Sequence, residues 1–171
     1  MQRAAILLGM WVRIVLMLVS LSSIIFSVTV NAKVTFNATV TRVLDGDTIY
    51  VKDALGDRQK IRLFGIDAPE IRQRDGAASG RYLAVRIGGQ AVTVVPYDVD
   101  QYDRQVAMVY DEYGQNMNEE MIRLGLAWVY RKYAKNPSWN ALEAEAKGSR
   151  IGLWRRPRPI APWRYRHQRS R

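Results

Sequence analysis

Residues Val34–Val43 alternate apolar and polar positions and are rich in valine and threonine, which predicts a β-strand. Asp45-Gly46-Asp47 is a turn signal, and Thr48–Lys52 reads as a second short strand. Leu55-Gly56-Asp57 turns the chain again, and Gln59–Ile66 reads as a third strand that Pro69 stops. Three strands joined by tight turns make a meander. Ala77–Ile87 then sets Ala78, Tyr82, Val85 and Arg86 at helical spacing and ends at Gly88-Gly89. Ala91–Val95 and Gln105–Asp111 are two further strands. Met117–Leu124 is a predicted helix, with Asn116 or Asn118 as cap and Gly125 as stop. Pro137–Lys147 is a third helix, with Asn136 or Ser138 near its cap and Gly148 after its end. Five strands in two groups, with a helix between the third and fourth, predict an α+β fold. It is a small closed β-barrel of the OB type carrying three helices.

The two ends fall outside this pattern. Arg3 and Arg13 precede an apolar run from Ile14 to Val30, softened by four serines and followed by the small-x-small text Val30-Asn31-Ala32. Residues 1–32 therefore read as a secretory signal peptide. The competing reading is an uncleaved membrane anchor, because a run of 17 residues reaches the lower edge of a spanning helix. Either reading places the rest of the chain outside the cytoplasm, in the periplasm or secreted. No repeat is visible between these ends. From Arg155 the text is Pro- and Arg-rich and cannot build a core, so residues 155–171 are expected to be an extended or disordered arm.

Charge sharpens the division. The chain has 26 basic and 16 acidic side chains. Residues 33–149 balance at 16 against 16, while residues 150–171 hold eight arginines and no acid. The basic excess of the exported part is in its tail. It suits either a solvated end or an electrostatic tether for a polyanion, in which Trp163 and Tyr165 stack on bases. Cysteine is absent, which excludes thiol nucleophiles, thiolate-bound zinc and a disulfide framework. The single histidine, His167, lies in the tail and gives no basis for a histidine triad or a multi-histidine metal site. A metal bound here is therefore expected to be a hard cation held by carboxylates and carbonyl oxygens.

Four stretches carry candidate chemistry: Asp45-Gly46-Asp47-Thr48; Ile61-Arg62-Leu63-Phe64-Gly65-Ile66-Asp67-Ala68-Pro69-Glu70; Asp100-Gln101-Tyr102-Asp103-Arg104; and Gly125–Tyr130, followed by Gly152-Leu153-Trp154. Singly, each has a plain structural reading as a turn, an outward arginine or a core strand. Together they supply what phosphodiester cleavage needs: a cation on a phosphate oxygen, a group directing water, and positive donors for the charge building on phosphorus. Asp47 and Asp67 end neighbouring strands and are expected to converge. Glu70 lies three residues beyond Asp67. Arg62 is five residues before Asp67, which simple alternation puts on the opposite strand face unless a bulge or twist intervenes.

From Val34 to Trp154 the chain resembles the staphylococcal nuclease family, through the order and spacing of Asp-Gly-Asp-Thr, Arg62-x4-Asp67-x2-Glu70 and Tyr102-x-Arg104. The resemblance implies a five-stranded OB-type barrel with three helices. It implies a calcium-dependent, sequence-nonspecific nuclease acting on DNA and RNA, leaving 3′-phosphate ends. By that likeness Asp47 and Asp67 are calcium ligands, together with the backbone carbonyl of Ala68. Glu70 is the general base or water-positioning group, and Arg62 and Arg104 clamp the phosphate. Tyr102 and Tyr133 or Tyr130 lie beside the nucleotide. Two positions depart from the pattern. Ala68 stands where a threonine is familiar, and Asp103 stands where a glycine commonly precedes the second arginine. A carboxylate there is expected to pair with Arg104 and weaken its hold. The alternative is a non-catalytic OB-type nucleic-acid binder, for which the full set of acids and arginines has no use. A monomer is expected.

Overall fold

A computed structural model describes residues 34–169; the expected export segment, residues 1–32, lies outside them. Five strands close into a barrel in which the first, second, third, fifth and fourth barrel strands pair in turn and the fourth pairs back to the first. β1 is Phe36–Val43, β2 Thr48–Asp53 and β3 Arg58–Leu63. β5 is Ala91–Val99 and β6 Gln105–Tyr110. Every neighbouring pair is antiparallel except β3 with β6, which run parallel with Ile61 opposite Gln105 and Leu63 opposite Ala107. Alternate residues point inward. Val40, Ile49, Val51, Ile61, Leu63, Val92, Val94, Ala107 and Val109 form the buried interior.

Three helices cover this core. α1 is Gly76–Ile87, α2 Met117–Arg123 and α3 Pro137–Gly148. Leu83 and Ile87, Met117, Met121 and Ile122, and Trp139 pack from them onto the barrel. Asn116 caps α2, its side chain accepting from the Asn118 and Glu119 amides. Asn136 caps α3 through Ser138, with Pro137 in the first turn, where its missing N–H costs nothing.

The third strand is shorter than its apolar pattern predicts. The chain turns at Phe64-Gly65, where Gly65 has a φ of 71°, and continues as β4, Ile66–Asp67. A side chain at Gly65 would strike Trp139 and Ala134, so both φ and space require glycine. β4 leaves the barrel and pairs with β7, Trp128–Val129, with Asp67 opposite Trp128. The fourth barrel strand is longer than predicted. It runs past Pro96, with an irregular register between Pro96 and Asp98 that accommodates the proline.

Glu143, fully buried on α3, fixes β7 and hence β4. Its Oε1 accepts from the Val129 amide at 2.9 Å, and its Oε2 takes Arg131 and Lys147, each at 2.6 Å. Burial acts to raise this carboxyl, but the bonds from Lys147, the Val129 amide and Arg131 outweigh it and hold it below the ordinary glutamate range.

The tail is the main departure from expectation. Gly152–Arg155 forms a 3₁₀ turn whose Leu153 and Trp154 are buried. Pro162–Arg169 is a helix, α4, in the same compact unit as the barrel. The described residues thus hold four α-helices rather than the three predicted, and residues 155–169 are not a free arm. Among the described residues no helix is long and apolar enough to cross a membrane.

Candidate active site

The site is built from the turns that leave the barrel strands. In the β1–β2 turn the Asp47 amide donates to Asp45 Oδ1 at 3.0 Å. Asp47 Oδ1 accepts from the Thr48 hydroxyl at 3.0 Å, and its Oδ2 accepts from the Ala68 amide at 2.6 Å. These bonds aim the carboxylate at β4. Gly46 permits the approach, since a Cβ there would strike the Ser79 hydroxyl of α1.

Arg62, on β3 opposite Thr48, reaches both candidate ligands. Its Nη2 donates to Asp67 Oδ1 at 2.8 Å, and its Nη1 forms an ion pair with Asp47 Oδ1. The strand-face objection disappears because β4 turns away from β3 at Gly65 rather than extending it. Burial alone would lower the Arg62 guanidinium; the charges of Asp47, Asp67 and Asp45 reverse that and hold it above its ordinary value.

Asp67 is fully buried. Burial raises its carboxyl above the usual range, offset in part by Arg166 and Arg62 and reinforced by Asp47. Burial, and then the charge of Asp47, push Asp45 up to about 7. Burial is thus the main force acting against the charge of Asp45 and Asp67, with the neighbouring Asp47 carboxylate adding to it. Among the described residues no three Asp, Glu, His or Cys side chains surround a common point that could hold a metal; two guanidiniums stand between the acids. The donor set itself fits a hard cation. It consists of oxygens only, from Asp47, Asp67 and the backbone beside them, in a place where added positive charge relieves burial of negative charge.

Glu70 lies on the loop after β4, its amide bonded to Gln73 Oε1 at 3.2 Å. Its carboxylate meets an arginine assigned by sequence only to the tail. Arg166 of α4 donates to Glu70 Oε1 at 2.7 Å and to Asp67 Oδ2 at 2.8 Å. Burial works against the charge on Arg166, but its bonds to Asp67 and Glu70 prevail and raise it above the ordinary arginine value.

These groups line one cleft of about 880 Å³ together with Arg104, Tyr102, Tyr130, Tyr133, Lys60 and Lys132. Arg104 precedes β6 and pairs with Asp100, through Nε and Nη2 each at 2.7 Å. Asp103 does not take the role expected of it. It occupies the left-handed region at φ 57°, the conformation a glycine would adopt freely, and so turns the loop that sets Asp100 against Arg104. Tyr102 is 70% exposed, 5.5 Å from the Arg104 guanidinium. Tyr130 and Tyr133 meet edge to face at 5.0 Å.

The model for the family described as "Staphylococcal nuclease homologue" matches residues 60–156. An "Uncharacterized endonuclease" of Escherichia coli O157:H7 is 42% identical over 130 residues, covering 76% of this chain and 84% of that protein. This chain belongs to the staphylococcal nuclease family. A "Micrococcal nuclease" of Shigella flexneri is 38% identical over 157 residues, covering 85% of this chain and 88% of its own. "Protein ParB" of Escherichia coli is 38% identical over 141 residues, covering 75% and 78%.

For a staphylococcal nuclease-like chain the sequence brings the expected residues into one cleft but leaves three participants unassigned. Asp45 was legible only as part of a turn. Asp100 carried a weak signal, its spacing of four from Arg104. Arg166 had none, because its partners lie 96 and 99 residues away.

Arg62→Ala is expected to lower turnover by about 10²-fold or more, as for loss of a positioned donor to a developing charge. The same change leaves Asp47 and Asp67 buried short of a partner, which costs about 3–5 kcal/mol of stability. Steady-state kinetics beside thermal melting separate the two effects. A stable variant with unaltered turnover would remove Arg62 from the reaction.

Proposed function

We propose that this chain is a calcium-dependent endonuclease that hydrolyses DNA and RNA without sequence preference and leaves 3′-phosphate ends. The observation that carries this reading is the meeting, in one cleft, of two buried carboxylates, a third on a loop, and two arginines with tyrosines beside them. Calcium, when bound by Asp47, Asp67 and the Ala68 carbonyl, supplies fixed positive charge against a phosphate oxygen.

The remaining work falls to side chains. Glu70 accepts a proton from the attacking water, whose oxygen bonds to phosphorus as the P–O5′ bond breaks. The 5′-oxygen leaves as a hydroxyl after taking a proton from solvent, and the phosphate stays on the 3′ side. Arg62 and Arg104 donate to the phosphate oxygens, where a planar guanidinium places two parallel bonds. Tyr102, Tyr130 and Tyr133 offer ring faces on which any base can stack, which accounts for indifference to sequence. The enzyme acts as a monomer and, from the basic, apolar, small-residue order of positions 1–32, is exported.

The test is incubation of the purified protein with single- and double-stranded DNA and RNA in calcium, with analysis of the product ends. Cleavage of all four substrates to 3′-phosphate, 5′-hydroxyl fragments is expected. Binding of these substrates without cleavage would leave a nucleic-acid-binding barrel instead.

A further inference from the structure

We propose that helix α4 is an inhibitory plug, in which Arg166 occupies the cation's place in the candidate site and calcium must displace it. This inference rests on the calcium reading above. Arg166 spans the two groups that cleavage needs most. Its Nη2 lies 2.8 Å from Asp67 Oδ2, and its Nη1 lies 3.2 Å from Asp67 Oδ1 and 2.7 Å from Glu70 Oε1. Asp67 Oδ1 also accepts from Arg62. Both oxygens of a candidate ligand are therefore committed to guanidinium donors. The candidate base is paired with one of the same donors through its Oε1, which lowers its readiness to take a proton. A divalent cation approaching Asp67 meets a like charge a few ångströms away.

The helix is docked as well as charged. Trp163 stacks on Tyr130, with centroids 5.8 Å apart and planes 11° from parallel, and meets Trp128 edge-on at 5.6 Å. Ala161 and Pro162 are buried at its start. The Ile160 carbonyl accepts from Gln73 at 2.7 Å, and the Tyr165 hydroxyl donates to the Arg72 carbonyl at 3.3 Å. Gln73 also holds the Glu70 amide, so one side chain ties the plug to the loop it blocks. The plug covers two functions at once: Arg166 takes the carboxylates, and Trp163 takes the ring face of Tyr130 offered to a base. It is also releasable. The Arg166 side chain is 43% exposed and Glu70 37%, so water competes for the pair.

The apparent affinity for a ligand falls by the fraction of molecules whose site is open, so weakening the plug tightens calcium binding. Calorimetric titration with calcium chloride alone, on the full protein, measures this. Arg166→Gln is expected to bind calcium about tenfold more tightly than the unmodified chain, with Arg166→Lys between them. Arg164→Gln removes the same charge from an exposed position on the same helix and is expected to change the affinity less than about twofold, as a charge screened by solvent. Hydrogen exchange gives a second readout: amides of residues 162–169 should lose protection when calcium is added. Calcium binding with equal affinity in the unmodified protein and in Arg166→Gln, with exchange in α4 unaltered, overturns the plug and leaves the calcium site standing. No calcium binding in any variant overturns both.

Discussion

Glu70→Gln is expected to lower turnover by about 10²–10⁴-fold, the usual contribution of a positioned proton acceptor, while substrate still binds. The amide keeps the shape of the side chain and its place on the loop, whose amide bonds to Gln73 are made by the backbone. It cannot take a proton from water. Removal of this carboxylate also takes an acidic partner from Arg166, so nothing in the change weakens access of substrate to the cleft. The Michaelis constant should stay level or fall while kcat collapses, the pattern of a group acting mainly in the transition state. Kinetics on single-stranded DNA, with circular dichroism to verify the fold, would decide it. Turnover near that of the unmodified protein would assign the base elsewhere.

Excess chelator is expected to abolish cleavage, and calcium to restore it. The cause is the donor set. Asp47 and Asp67 are held in fixed directions by the Thr48 hydroxyl, the Ala68 amide and Arg62, and they supply oxygens only. Such a site suits a cation that accepts six to eight oxygens in loose geometry, whereas magnesium requires a near-ideal octahedron at shorter distances. Magnesium should therefore restore little activity. A cation that binds the folded protein alone must also stabilise it, by about 2.7 kcal/mol at a hundred times its dissociation constant. Melting curves in calcium and in chelator provide that independent reading. Full cleavage in chelator would exclude the cation from the reaction.

Much of the barrel was legible because its strands alternate and its turns carry Asp-Gly signals. β2 and β6 match their predicted spans to within a residue. Sequence reading overran β3 because Phe64 and Ile66 continue an apolar pattern, and the break at Gly65 depends on Trp139 and Ala134, which come from elsewhere in the chain. It stopped β5 early because Pro96 is a strong local signal and the paired β6 that tolerates it is not local. The tail was misread for a related reason. Eight arginines outweigh Ala161, Pro162 and Trp163 in any composition, yet those three residues seat the helix. The Asp103 substitution pointed to the wrong carboxylate, since adjacency in sequence says little about a loop whose left-handed residue turns Asp100 inward. In each case the deciding contact was tertiary.

The parallel pairing of β3 with β6 governs when a site can exist at all. Arg62 sits within that ladder and Arg104 immediately before it, yet Ile61 and its partner Gln105 are 44 positions apart in sequence. The meander of β1, β2 and β3 closes through tight local turns, whereas this ladder must first overcome the entropy of a long intervening loop. During synthesis, a chain that has not yet extended past Tyr110 carries Asp47, Arg62, Asp67 and Glu70 but has no sixth strand to seal the barrel beside them. Competence therefore cannot precede the closing seam, and any nick or truncation that frees β6 removes the second arginine and the barrel's continuity in one stroke.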